Sequence, residues 1–335
     1  MKKIFALFLG MSILLSGCGT GLFAEPTSTP TMTFTPPPPT EAERATPTQT
    51  FTITPTRFAT ASPSPTPTWV HQGPESVEVP ILLYHWIAVS PDEGTNYKSP
   101  YYVKPEVFDA EMKLLHDWGY TTITTEMLIK AIREGADLPP RPVIITFDDG
   151  HMNNYTNAFP IMQKYGFTGV LYLVANYLDA EDYLTVDQIK EMAAAGWEIG
   201  SHSVSHSDLT SLEPERQRFE VVDSRAMLES KLGVPVLTIA YPFGVSNSSV
   251  IDYAHFAGYI GGMGLGYTHD QGLTNLFNLQ RRDVKGTYDV KQFASFLPWQ
   301  GDAIFLPTDT PMPTMTPTRT PIPTYTWIVP STSTP

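Results

Sequence analysis

The stretch PVIITFDDG, residues 142–150, is an apolar run of strand length that stops abruptly at two carboxylates and a glycine. A continuous apolar run, without polar alternation, fits a strand buried on both faces, as in a parallel sheet covered by helices. Working outward, comparable runs occupy 79–84 (VPILLY), 168–174 (TGVLYLV), Trp197–Ser201, Val236–Tyr241 and 258–264, and Tyr120–Thr124 reads as a further strand. Helical periodicity fills the intervals. Residues 105–118 place Phe108, Met112, Leu115 and Trp118 on one face and end at Gly119, and helices are expected at 125–134, 154–165, 185–195, 213–232, 247–257 and 289–298. Alternating strands and helices predict an α/β domain with a parallel sheet. About seven repeats favour closure into a barrel, whose polar residues at the C-terminal strand ends form the site.

The rest of the chain is of another kind. Of 32 prolines in 335 residues, 19 fall in 25–68 and 302–335, together with 25 threonines. Such segments cannot bury enough apolar surface to fold and favour extended polyproline-type conformers. The expected organisation is therefore a signal peptide at 1–17, a Thr/Pro-rich disordered linker at 18–74, a folded domain at 75–301 and a second Thr/Pro-rich tail at 302–335. Residues 73–301 hold 16 Lys and Arg against 29 Asp and Glu, so the whole net charge of −13 belongs to the folded domain. A domain this acidic is a poor binder of nucleic acid and of anionic membrane surface, argues against an anionic polymer held by electrostatics as substrate, and leaves a neutral or cationic polymer open.

At the N-terminus two lysines precede an apolar run from Ile4 to Leu15. That run is shorter than the roughly 20 residues of a spanning helix and has the shape of a signal peptide. Cys18, the single cysteine, follows directly in a stretch that resembles the lipobox of bacterial lipoproteins. The resemblance implies acylation of Cys18 and an extracytoplasmic protein held at the cell membrane or outer membrane by lipid alone. A lone cysteine there also leaves the folded domain without a disulfide.

Three polar groups sit at expected strand ends. Asp148 and Asp149 are costly to bury unpaired, and a cation beside them would relieve that cost; an exposed Asp-Gly turn is the bland alternative. His202 and His206, in HSVSH, stand four apart, which on one helical turn would let both reach one metal. Tyr241-Pro242-Phe243-Gly244 follows the next strand and could wall a groove or expose a backbone N–H. Two histidines and an aspartate with open positions suit a divalent transition metal acting on water.

This ordered set resembles the polysaccharide deacetylases, the NodB-homology domains of carbohydrate esterase family four, over about residues 79–298. The resemblance implies a distorted (β/α)7 barrel and metal-dependent removal of acetyl groups from N-acetylated sugars of a polymer. By position it implies Asp148 as general base, Asp149, His202 and His206 as metal ligands, and the Tyr241-Pro242-Phe243 turn on the substrate side, with the Phe243 N–H at the oxyanion. Zinc is the expected metal, with nickel or cobalt as alternatives.

Two features depart from the common pattern. Ala240 stands where an arginine usually holds the catalytic aspartate, and no Leu-x-His motif carries an acid near the C-terminus; His269 lies there in a glycine-rich context. LLYHW at 82–86 is similar to the poly-N-acetylglucosamine deacetylases of exopolysaccharide systems, whose motif order is permuted, and this implies His85 as general acid. LQRR at 279–282 resembles a Leu-Pro-Arg stretch of that subgroup and implies Arg281 in place of the missing arginine. The expected partner is an N-acetylated polysaccharide. A non-catalytic carbohydrate-binding envelope protein on the same fold and an O-acetyl xylan esterase are the alternatives. The oligomeric state has no signature in the sequence.

Overall fold

The computed structural model describes residues 68–301 except 92 and 95–98. Cys18, the signal peptide, the C-terminal tail and most of the expected linker lie outside the described residues. Seven parallel strands close on themselves in strict chain order: β1 (Ile81–Tyr84), β2 (Pro142–Asp149), β3 (Val170–Leu173), β4 (Glu198–Ser201), β5 (Thr238–Ala240), β6 (Gly261–Leu265) and β7 (Leu279–Asp283). Closure is made by the pairing of β7 with β1, which sets Arg282 opposite Leu82 and Asp283 opposite Leu83. All other neighbours pair parallel as well. The predicted (β/α)7 barrel is the architecture observed.

One of its strands is not where the sequence reading put it. Tyr120–Thr124 forms only the two-residue strand Thr121–Thr122, a parallel appendage at the outer start of β2. The seventh strand is Leu279–Asp283, whose sequence LQRRD hides it. After Leu279 its inward face carries Arg281, and polar residues fill the rest, so the apolar run that marks its neighbours is missing. β2 also continues through Asp148 and Asp149, past the expected end at Phe147. The folded unit begins before the expected boundary at 75, because Val70–Gln72 pairs antiparallel with Ala136–Leu138.

The barrel interior is filled rather than open. Tyr172 of β3 crosses the lumen, where its hydroxyl meets Thr238 Oγ1 at 3.0 Å and its ring lies 5.3 Å from the Arg281 guanidinium. Gly200 of β4 makes room for that ring, since a Cβ there would approach it to 2.3 Å. Outside β1 and β2, fully buried Phe108 packs on Tyr84 and Phe147 at 5.1 and 5.9 Å between ring centroids. Its helix, Pro105–Asp117, starts with proline at the first turn, where the missing N–H costs nothing. Val186–Ala194 opens with a capping box between Thr185 and Gln188. The long segment expected at 213–232 is helical but interrupted by a π turn at Phe219–Asp223, which buries Glu220.

Candidate active site

The C-terminal ends of β1, β2, β4, β5 and β7 bring the singled-out residues together, and the backbone there is unusual. Asp149, Ser203, His206 and Phe243 all have positive φ, between 58° and 71°. They make up four of the seven such non-glycine residues among the described ones. Left-handed backbone is costly for side chains with a Cβ, so its gathering at one place marks a site whose surroundings hold it.

Asp149, His202 and His206 offer one ligand atom each, all within 4.8 Å of one another. His202 and His206 converge, but not on a helical turn as their spacing suggested. The segment after β4 is an irregular turn with Ser203 and His206 left-handed. Buried Glu220 pins it, accepting from the N–H groups of Val204 and Ser205 at 2.9 and 2.8 Å and from the Ser205 hydroxyl at 2.6 Å. Ser203 Oγ then accepts the His206 N–H at 3.0 Å.

The donor set fits a divalent metal. His202 Nδ1–H donates to the Ala240 carbonyl at 2.7 Å, which leaves a lone pair on Nε2. That Nε2 and the Nε2 of His206 lie 3.6 and 3.3 Å from Asp149 Oδ1. Asp149 Oδ1 is buried and has no hydrogen-bond partner among the described residues. Burial and the neighbouring His202 both hold the His206 imidazole below its usual pKa, in the neutral form that ligates. Electron-rich atoms converging without protons between them are stabilised by a cation.

Asp148, one residue earlier, faces the barrel interior at 2% exposure. Arg281 holds it with a bidentate pair, Nη1 to Oδ1 at 2.6 Å and Nη2 to Oδ2 at 2.8 Å. The same guanidinium donates to Gly264 O through Nε and to Thr146 Oγ1 through Nη1, which fixes its orientation. Burial pushes the Asp148 carboxyl up, but the Arg281 charge and its hydrogen bonds, with the neighbouring His202, outweigh it and hold the group below its ordinary range. Asp149 is likewise lowered: burial works upward, and the His151 hydrogen bond and His202 overcome it.

His85 follows β1 directly. It contributes to the field at both aspartates, and its Nδ1 is buried without a hydrogen-bond partner. Its ring lies 4.9 Å from Tyr101 and 5.8 Å from Trp86. Asp283, at the end of β7, is within electrostatic reach of it; burial raises the Asp283 pKa and His85 opposes the rise.

Of the turn at 241–243, only Phe243 is exposed. It is 60% exposed, with its ring 4.8 Å from that of His206. The Tyr241 ring is buried behind β6 with its hydroxyl on Phe277 O, so it cannot touch a polymer. Tyr241 N–H is taken by Met263 O and Pro242 has none, which leaves Phe243 as the turn's N–H donor.

Several residues escaped the sequence reading. His151 stacks on Trp86 at 4.0 Å and places Nε2 3.2 Å from Asp149 Oδ2, orienting the carboxylate. Asn153, Asn154 and Asn157 clamp the His85 segment. Asn153 Oδ1 accepts the Ile87 N–H, Asn154 Nδ2 donates to His85 O and Asn157 Nδ2 donates to Ile87 O, all at 2.7–2.8 Å. They sit on and beside the π turn Asn154–Ala158, and three asparagines in five residues are poor helix formers, which was the available signal.

Residues 135–261 match the family model for polysaccharide deacetylase. A solved polysaccharide deacetylase of Bacillus cereus is 31% identical, with a TM-score of 0.58; the alignment covers 66% of this chain and 69% of that one. The chain belongs to the polysaccharide deacetylase family. A Streptococcus pyogenes deacetylase solved with acetate is 27% identical at a TM-score of 0.62, over 69% of this family member and 99% of that chain. Among curated relatives, a Bacillus subtilis protein named as a polysaccharide deacetylase is 34% identical over 54% of this chain and 62% of its own length. The poly-β-1,6-N-acetyl-D-glucosamine N-deacetylase of Escherichia coli is 24% identical over 57% of this chain. The present chain spans 35% of that larger protein.

Proposed function

We propose that this protein removes acetyl groups from N-acetylglucosamine residues of a cell-envelope or extracellular polysaccharide, with a divalent metal held by Asp149, His202 and His206. The observation that carries the reading is a buried Asp148, clamped by Arg281 and 3.6 Å from His202 Nε2 beside that donor set. When bound, the metal supplies Lewis acidity, acidifying water and polarising the acetyl carbonyl. Asp148 accepts the proton of the attacking water, and its low pKa keeps it available as a base at neutral pH. Arg281 fixes which carboxylate lone pairs face the water. The Phe243 N–H donates to the developing oxyanion. His85 delivers a proton to the departing nitrogen, which leaves as an amine because an amide anion is a very poor leaving group. An alkoxide leaves more readily without a proton, so an acid supplied by His85 matters most for amide substrates and favours them over O-acetyl esters.

The test is acetate release from β-linked N-acetylglucosamine oligomers by the full-length protein, stripped with chelator and reloaded separately with zinc, nickel or cobalt. Stripping should abolish release and at least one of the three metals should restore it. Acetate release by the stripped protein at the full rate overturns the reading.

A further inference from the structure

Beside the acid and base, β6 and β7 end in a pocket that the deacetylation chemistry does not use. Its volume is about 320 Å³, enough for one sugar ring, and it is lined by Leu265, Tyr267, Arg282, Asp283, Lys285 and Tyr288 among others. Arg281 lines it too, so the pocket shares a wall with the residue that clamps Asp148.

Arg282 is held flat there. Its guanidinium lies 4.4 Å from the ring centres of both Tyr267 and Phe296. It forms no ion pair among the described residues, and its buried Nε has no hydrogen-bond partner. Lys285 stands next to it, 3.9 Å from Asp283 and 38% exposed. A planar, aromatic-stacked guanidinium is pre-organised for a carboxylate, and stacking removes much of the entropy cost of holding it in place. Tyr267, 77% exposed, adds an apolar ring of the kind against which the flat face of a sugar packs.

We infer that this pocket binds the carboxylate of an acidic sugar adjoining the acetylated residue, through Arg282 and Lys285. The inference rests on the deacetylase reading and narrows its substrate: the polymer alternates or intersperses N-acetylglucosamine with carboxylated sugars. The net charge of −13 on residues 73–301 limits how many. A densely charged polyanion is repelled at long range, so the attraction is local and suits isolated carboxylates between neutral rings.

The test compares kcat/KM on length-matched oligomers: neutral N-acetylglucosamine chains, chains alternating with glucuronate, and chains alternating with N-acetylmuramate. Wild type should favour one carboxylated series by about tenfold, the equivalent of a single charge-assisted contact, with the difference in KM. The two carboxylated arms separate a uronate from a lactyl ether as the source. Arg282→Gln should bring the ratio of carboxylated to neutral kcat/KM toward one, and Arg282→Lys should retain part of it. Lys285→Gln, at an exposed position, repeats the test without touching the aromatic stack. A ratio near one in wild type, or a ratio that survives both Gln variants, overturns the inference. If no oligomer is turned over, the deacetylase reading fails separately. The pocket is then judged by calorimetric binding of the glucuronate and muramate oligomers: weaker binding of either by Arg282→Gln supports it, and equal affinities for both reject it.

Discussion

The proposed metal-binding half of the barrel mouth takes its residues from two short motifs at the ends of β2 and β4. The proposed proton-handling half takes His85 from just after the first strand and Arg281 from the last, two ends of the chain that the pairing of β7 with β1 brings side by side. The two halves are also held differently. Around the metal ligands the backbone itself is forced left-handed at Asp149, Ser203 and His206, and Glu220 locks the turn. Around the acid and base, ordinary backbone is positioned by long side chains reaching across: Arg281 onto Asp148, and three asparagines onto the His85–Ile87 segment. A site can thus be half local and half a product of barrel closure. The two halves should then fail in separable ways.

The largest effect is expected in the metal half. His202→Ala removes a 2%-exposed ligand whose Nδ1 is already committed to Ala240. Metal content by elemental analysis and turnover should fall together, turnover to background. Retention of full metal by this variant would break the distinction between the halves.

A smaller and more specific effect is expected from Arg281→Gln. Burial raises the Asp148 carboxyl and the Arg281 charge brings it down, so without the guanidinium the pKa rises. The base must be ionised to work, so the acid limb of the pH–rate profile moves to higher pH. Neutral-pH turnover should drop about 10- to 100-fold, within the usual range for general-base perturbation. Breaking a buried ion pair also costs about 3–5 kcal/mol. The thermal midpoint should therefore be measured alongside, and the profile taken well below it. An acid limb that stays in place would remove Arg281 from its positioning role.

The same contrast explains what could be read from the chain. Six barrel strands announce themselves as apolar runs, and the helix over 125–134 matches its expected bounds, because burial on a regular face leaves a periodic signal. Asp148-Asp149-Gly150 and HSVSH are legible because each compresses its chemistry into a few residues. β7 is not legible as a strand, since a strand that points an arginine into the lumen breaks the apolar run that marks one. Its Arg281 was reachable only through the resemblance of LQRR to a family stretch. Glu220, His151 and the asparagines act through three-dimensional contacts with segments far away in sequence or out of periodic register, and single-residue reading has no access to such pairs. The helical-turn expectation for His202 and His206 was a case of correct spacing with the wrong backbone: two positive φ angles bring the rings 4.9 Å apart instead.

On the proposed mechanism His85 serves the proton and not the metal. The direct test is metal content and turnover on the same preparation of full-length His85→Ala loaded with zinc. Metal stoichiometry should equal wild type while turnover falls by about 10²- to 10⁴-fold, the range for a missing general acid. Loss of metal in step with loss of turnover would contradict that mechanism and move His85 into the metal half.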